Sequence, residues 1–107
     1  MAKTLFKGIQ QVVMSTFTGK TAEEKKGYLW FVREPMGENT GLADDMFHIY
    51  FGTRCYGSFL QGERELFAAS LEAVRAAIGL GDDFSFAWKD AKTVKEAFDL
   101  VAGWYEQ

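Results

Sequence analysis

The chain has few of the residues that most often carry chemistry: its 107 residues include one cysteine, one histidine and one proline. A single cysteine, Cys55, excludes an internal disulfide, and no cysteine and histidine cluster has the spacing of a metal site. No run approaches the roughly 18 apolar residues of a membrane span, and the N-terminus lacks the apolar core of a signal peptide. We therefore expect a protein without metal, cofactor or membrane partner, made in cytosol-like surroundings.

The charge and length of the chain further limit the classes of protein to which it can belong. The net charge of −3 is not that of a nucleic-acid-binding domain, whose surface needs a basic patch. A chain of this length buries one modest core. We predict a single domain over residues 1–107, β-rich over 1–57 and mainly helical over 58–107.

Two runs rich in aromatic and β-branched residues, at 27–33 and 46–53, predict a hairpin at the centre of the fold. Further strands are predicted at about 5–14 and, as a fourth candidate, at 83–88. Within the first run, alternation places Trp30 on one face and Phe31 on the other, so both faces of this strand need cover. The hairpin strand is therefore expected to lie inside the sheet.

After residue 57 the apolar period lengthens from two residues to about 3.6, which indicates helix. One helix is predicted over about 59–78 and ends at Gly79, since glycine readily adopts the left-handed cap. A second, over 93–106, begins with Thr93 and Glu96 at the spacing of a capping box. The predicted fold is α+β: a small antiparallel sheet of three or four strands, with a central hairpin at about 27–53, covered by two C-terminal helices.

His48 and Cys55 are the candidate base and thiol of a small enzyme, because a turn near Gly52 could bring them together. No orienting carboxylate is implied, so packed or surface strand residues are the favoured interpretation and catalysis is the remote alternative. Four acidic residues could bind a divalent cation, but their spacing matches no cation loop, and a solvated face is favoured: Glu34, Glu38, Asp44 and Asp45.

Aromatic residues are the candidate interaction surface. Five of them could stack on a sugar or a base, but tyrosine and tryptophan are also enriched in subunit interfaces, which we favour: Tyr28, Trp30, Tyr50, Tyr56 and Trp88. The C-terminal helix adds Trp104 and Tyr105, which extend its apolar stripe beyond one buried face. A patch of that size predicts a symmetric homo-oligomer, with a trimer favoured.

The segments GYLWFVR at 27–33 and IYFGTRCYG at 49–57 resemble a hairpin signature of virion structural proteins of tailed bacteriophages. These include crAss-like phages and others of gut Bacteroides-type hosts. Thr93, Val94, Glu96 and Ala97 resemble the T-V-x-E-A helix that leads toward a trimeric stalk in such proteins. The resemblance covers about half of the chain, and the loop between the strands is longer than in that signature.

The resemblance implies a non-enzymatic head-fibre, tail-fibre or capsid-associated module, located in the virion and bound to other virion subunits. The main alternative is a module that binds a small ligand or a peptide in the cleft between sheet and helices.

Overall fold

The computed structural model of the chain describes residues 6–36, 45–79 and 90–105. The elements in chain order are β1 (Gly8–Val13), α1 (Met14–Thr18), α2 (Ala22–Lys25), β2 (Tyr28–Glu34), β3 (Met46–Phe51), β4 (Arg54–Phe59), α3 (Arg64–Ile78) and α4 (Val94–Tyr105). The strands form one sheet in the order β1-β2-β3-β4. The predicted α+β class, the central hairpin and both long helices are confirmed.

The sheet is mixed, whereas the sequence predicts an antiparallel one. β2, β3 and β4 pair antiparallel, but β1 runs parallel to β2, from Gly8 opposite Tyr28 to Val13 opposite Arg33. Parallel neighbours need a crossover, and the short helices α1 and α2 form it. The helix α2 begins with a capping box, in which the side chains of Thr21 and Glu24 each accept a hydrogen bond from the other residue's backbone N–H.

The strand β4 is absent from the sequence prediction. It follows a turn at Gly52, where the sequence predicts a turn or a bulge, and the φ of 62° at this glycine lies in the left-handed region. Tyr50 pairs with Cys55 and Ile49 with Gly57, so Tyr56 is an extra residue in a β-bulge. The bulge interrupts the two-residue alternation on which strand prediction depends. The candidate strand at 83–88 lies outside the described residues.

One face of the sheet, called here the inner face, packs against α3 and α4. Its buried side chains with those of the helices form the main core: Leu29, Phe31, Phe47, Ile49, Phe59, Phe67, Leu71, Val74, Ala91, Val94, Ala97, Phe98 and Val101. Phe98 lies at the centre, stacked on Phe31 at 4.4 Å between ring centroids and edge-to-face with Phe47 at 5.4 Å. The predicted helices therefore cover one face of the sheet, as expected.

The opposite face, called here the outer face, is covered only in part. Phe17 of α1 packs edge-to-face on Trp30 at 5.6 Å, and both side chains are buried with Val32. Lys25 of α2 places its Nζ 4.1 Å from the centroid of the Phe17 ring, a cation–π contact. Both faces of β2 are thus covered, which the alternation of its apolar residues predicts.

The ends of the long helices follow the predicted signals. Gly79 caps α3 with φ of 75°, and its N–H donates to the carbonyl of Arg75 at 2.9 Å. Thr93 Oγ1 accepts from the Glu96 N–H at 3.1 Å at the start of α4. The predicted start of the first long helix is about five residues early, because Phe59 belongs to β4 and Leu60 to Glu63 form a turn.

Candidate functional site

A row of hydrogen-bonded side chains crosses three strands of the outer face. His48 of β3 lies between Ser58 of β4 and Glu34 of β2: Nδ1 is 2.7 Å from Ser58 Oγ, and Nε2 is 2.9 Å from Glu34 Oε1. The imidazole is 8% exposed, so both ring nitrogens need partners and have them. We call these three residues the histidine row.

Strand register builds the row. Phe47 and Ile49 are buried in the inner core, so His48 between them projects from the outer face. His48 is directly opposite Ser58 in the β3–β4 pairing, while Glu34 is at the end of β2. His48 and Glu34 are candidate residues from the sequence, but Ser58 is not, because its pairing with His48 depends on β4 and the bulged register, which no local pattern predicts.

The row has the components of a proton relay. A carboxylate is only a hydrogen-bond acceptor, so Glu34 accepts a hydrogen bond from the Nε2–H of His48. In that tautomer Nδ1 accepts a hydrogen bond from the Ser58 hydroxyl. The Cys55 Sγ lies 3.8 Å from the same hydroxyl. In the structure, therefore, the Ser58 hydroxyl is hydrogen-bonded to the imidazole of His48, and the Cys55 thiol lies beside that hydroxyl.

Tyr50 adds a phenol to the same surface. Partial burial raises the pKa of Tyr50 above its ordinary value of 10.0, and the neighbouring Cys55 and Glu34 raise it further. Phe17 packs on the Tyr50 ring with 4.4 Å between centroids. The phenol is thus neutral near pH 7 and serves as an apolar ring with a polar tip.

The structure brings three of the candidate interface aromatic residues together. Tyr28, Trp30 and Tyr50 belong to one cluster on the outer face, with Tyr28 and Tyr50 half-buried. Trp30 is 3% exposed and its Nε1–H donates to the Lys25 carbonyl at 2.9 Å, so it is a core residue of this cluster.

Tyr56 lies apart from that cluster. It packs against the main core, with the Arg54 guanidinium 5.0 Å from its ring centroid. Trp88 and the side chains of Trp104 and Tyr105 lie outside the described residues.

The acidic residues considered as cation ligands are engaged elsewhere where the structure describes them. Asp45 accepts from Arg33 Nη1 at 2.8 Å, and Glu34 belongs to the histidine row. Glu38 and Asp44 are outside the described residues. Within residues 6–36, 45–79 and 90–105 no three His, Cys, Asp or Glu side chains group as a metal site.

Comparisons with protein families, with curated proteins and with solved structures find no match for this chain. None of the helices in the described part of the chain combines the length and hydrophobicity needed to cross a bilayer.

Proposed function

We propose that this protein is a non-enzymatic structural or assembly module that acts through protein–protein contacts. The resemblance of its hairpin segments to virion proteins of tailed phages supports a place in a virion, as a fibre or capsid-attachment module. The structural observation that supports assembly is the edge strand β1.

The strand β1 offers a regular, uncharged edge. Its sequence GIQQVV contains no charged residue and no proline, and its register with β2 is unbroken over six residues. Natural edge strands are commonly protected by charges, prolines or bulges, because unpaired N–H and C=O groups invite another strand. Within the described sheet β1 lies at one end, so its free side suits addition of a strand from another subunit.

The other sheet edge lacks these properties. β4 is interrupted by the bulge at Tyr56 and carries Arg54. Bulges twist an edge away from pairing and a charge opposes burial. The contrast between the two edges favours β1 as the assembly edge.

Sedimentation equilibrium at tens of micromolar tests self-assembly. The intact chain is expected to form a homo-oligomer, with a trimer favoured. Replacing exposed Gln10 by lysine adds a charge to the β1 edge, which opposes burial of that edge against another subunit, and is expected to shift the equilibrium toward monomer. Thr53→Lys adds the same charge at an exposed position in the β3–β4 turn and serves as the matched control.

A Trp104→Lys/Tyr105→Lys double variant tests whether the C-terminal helix, rather than the β1 edge, is the surface through which the chains associate. Loss of association in this variant alone would move the interface from β1 to the helix. If the unmodified chain sediments as a monomer, self-assembly fails and attachment to a different virion subunit becomes the working version of the proposal.

The histidine row supports a second candidate function, a hydrolase with Ser58 as nucleophile. His48 Nδ1 is within 2.7 Å of the Ser58 hydroxyl, and Glu34 orients the ring from its other nitrogen. Turnover of an activated ester such as p-nitrophenyl acetate that disappears in Ser58→Ala and His48→Ala, but persists in Cys55→Ala, would establish this function and overturn the non-enzymatic proposal.

A further inference from the structure

A cleft of about 330 Å³ opens at one end of the inner face. Its floor includes Val13, Arg33 and Phe47, which are directly opposite one another across β1, β2 and β3. Lys95 and Phe98 of α4 line it from the helix side. It is therefore a cleft between sheet and helix, at the low end of the roughly 300 to 1,000 Å³ range of small-molecule sites.

Arg33 is an unusual residue for its position. It follows Leu29 and Phe31 in the alternation of β2, and both of those side chains are fully buried on the inner face. At the third inner position the strand places a guanidinium, 42% exposed, beside the cleft. A cation at the end of an otherwise apolar row gives the cleft one charged and one apolar end.

The two cations of the cleft retain donors for a ligand. Arg33 donates a hydrogen bond from Nη1 to Asp45, and a guanidinium carries five N–H donors. Lys95 Nζ donates to Asp99 Oδ2 at 3.1 Å and has three donors. The carboxylates Asp45 and Asp99 are not among the residues that line the cleft. The charged side chains that line the cleft are therefore both positive.

The other residues that line the cleft determine which chemical group the anion of a ligand can carry. Phe47 and Phe98 are each 1% exposed, and their rings meet edge-to-face at 5.4 Å. Gln11 lines the cleft too, with its Nε2 bonded to Asp99 Oδ1 at 2.8 Å. Because these two rings are almost fully buried, half-buried Val13 supplies apolar surface that a ligand can reach, and a small apolar group fits there. A carboxylate matches the planar fork of Arg33.

We propose that this cleft binds a small organic acid, a carboxylate attached to an apolar group. Arg33 and Lys95 bind the carboxylate, and Val13 contacts the apolar group, with the buried rings of Phe47 and Phe98 beneath it. The proposal does not rest on assembly through the β1 edge, although Gln11, Val12 and Val13 of β1 line the cleft.

Titrations of the full chain with phenylpropanoate, followed by amide and arginine side-chain NMR, test the site. Saturable shifts are expected at Arg33, Phe47 and Lys95. The neutral analogue phenylpropanol is expected to bind at least tenfold more weakly, since the charge-assisted hydrogen bonds are lost. Phenylpropylamine, which has the opposite charge, is expected not to bind.

Charge variants separate binding from a structural ion pair. Arg33→Gln and Lys95→Gln are each expected to raise the Kd for phenylpropanoate about tenfold. Asp45→Asn removes a carboxylate that competes for Arg33 and is expected to lower the Kd severalfold, which loss of a merely structural pair would not do. Lys92→Gln, an exposed lysine outside the lining of the cleft, is the matched control and is expected to leave the Kd unchanged.

Three results would overturn the proposal. They are equal binding of phenylpropanoate and phenylpropanol, a Kd that does not respond to Arg33→Gln, and shifts confined to other parts of the surface. Absence of saturable shifts at ligand concentrations of tens of millimolar would overturn it as well.

Discussion

The inner and outer faces of the sheet are made by the same strands but are stabilised in different ways. On the inner face, neighbouring aromatic rings pack against two long helices and are almost completely buried. The outer face carries a smaller apolar cluster around Trp30 and, next to it, the hydrogen-bonded histidine row. The difference indicates that the fold depends chiefly on inner-face packing, whereas the outer face can change its chemistry at lower cost.

The largest effect is expected at the centre of the inner core. Phe98→Ala should lower the free energy of unfolding by about 3 to 5 kcal/mol, because it removes a ring that three other aromatic rings contact and leaves a cavity. Leu100→Ala, two residues along the same helix and 41% exposed, should change stability by less than about 0.5 kcal/mol. Denaturant unfolding measures both, and similar losses would contradict the assigned inner face.

Gly57 tests how closely α3 packs on β4. A Cβ at this position would meet Ser70 Oγ of α3 and lie 2.8 Å from Cε1 of Phe59. Gly57→Ala should therefore destabilise by about 1 to 3 kcal/mol through overpacking.

Gly62→Ala is the matched control for Gly57→Ala, since nothing lies within 4 Å of a Cβ built there. If both variants melt at the same temperature, the close approach of helix and strand is not a feature of the folded protein.

A smaller loss is expected from the outer face. His48→Ala removes two hydrogen bonds, but Ser58 is exposed and the Glu34 side chain is 41% exposed, so water can replace the imidazole. We expect a loss of about 1 kcal/mol, well below that of Phe47→Ala at the adjacent inner-face position. A His48→Ala loss as large as that of Phe47→Ala would show that the histidine row is a structural core element.

The smallest effect concerns the capping box of α2. The backbone N–H and then the hydroxyl of Thr21 lower the pKa of the exposed Glu24 carboxyl below its ordinary 4.5. Because the folded-state pKa is the lower one, this stabilisation is present above the unfolded value and lost as pH falls through the folded one. The stability difference between the native chain and Glu24→Gln should therefore shrink as pH falls below about 4.5. A difference that does not change with pH would contradict the carboxylate's role.

The sequence predicts the parts of the fold that local pattern determines. The long helices have continuous 3.6-residue apolar stripes with caps at Gly79 and Thr93, and the hairpin strands alternate cleanly. The direction of β1 depends on how the crossover packs Phe17 against Trp30, a contact between distant residues that no local period encodes. β4 is hidden because its bulge and Gly57 break the alternation.

The same limit applies to the candidate sites. His48 is conspicuous as the single histidine, but its pairing with Ser58 requires the bulged register of β3 and β4. The charge at the end of the inner face can be read from the sequence, since Leu29, Phe31 and Arg33 alternate on one side of β2. The cleft beside it requires the position of α4, which the sequence leaves open.

The exposed thiol of Cys55 sets an upper limit on covalent assembly. It is the chain's single cysteine, and its Sγ lies 3.6 Å from the Gly57 carbonyl oxygen and 3.8 Å from the Ser58 hydroxyl. Under oxidising conditions one chain can therefore form one disulfide with one other chain, and covalent growth stops at two chains. On a non-reducing gel the covalent species should therefore not exceed two chains, whatever the size of the non-covalent assembly.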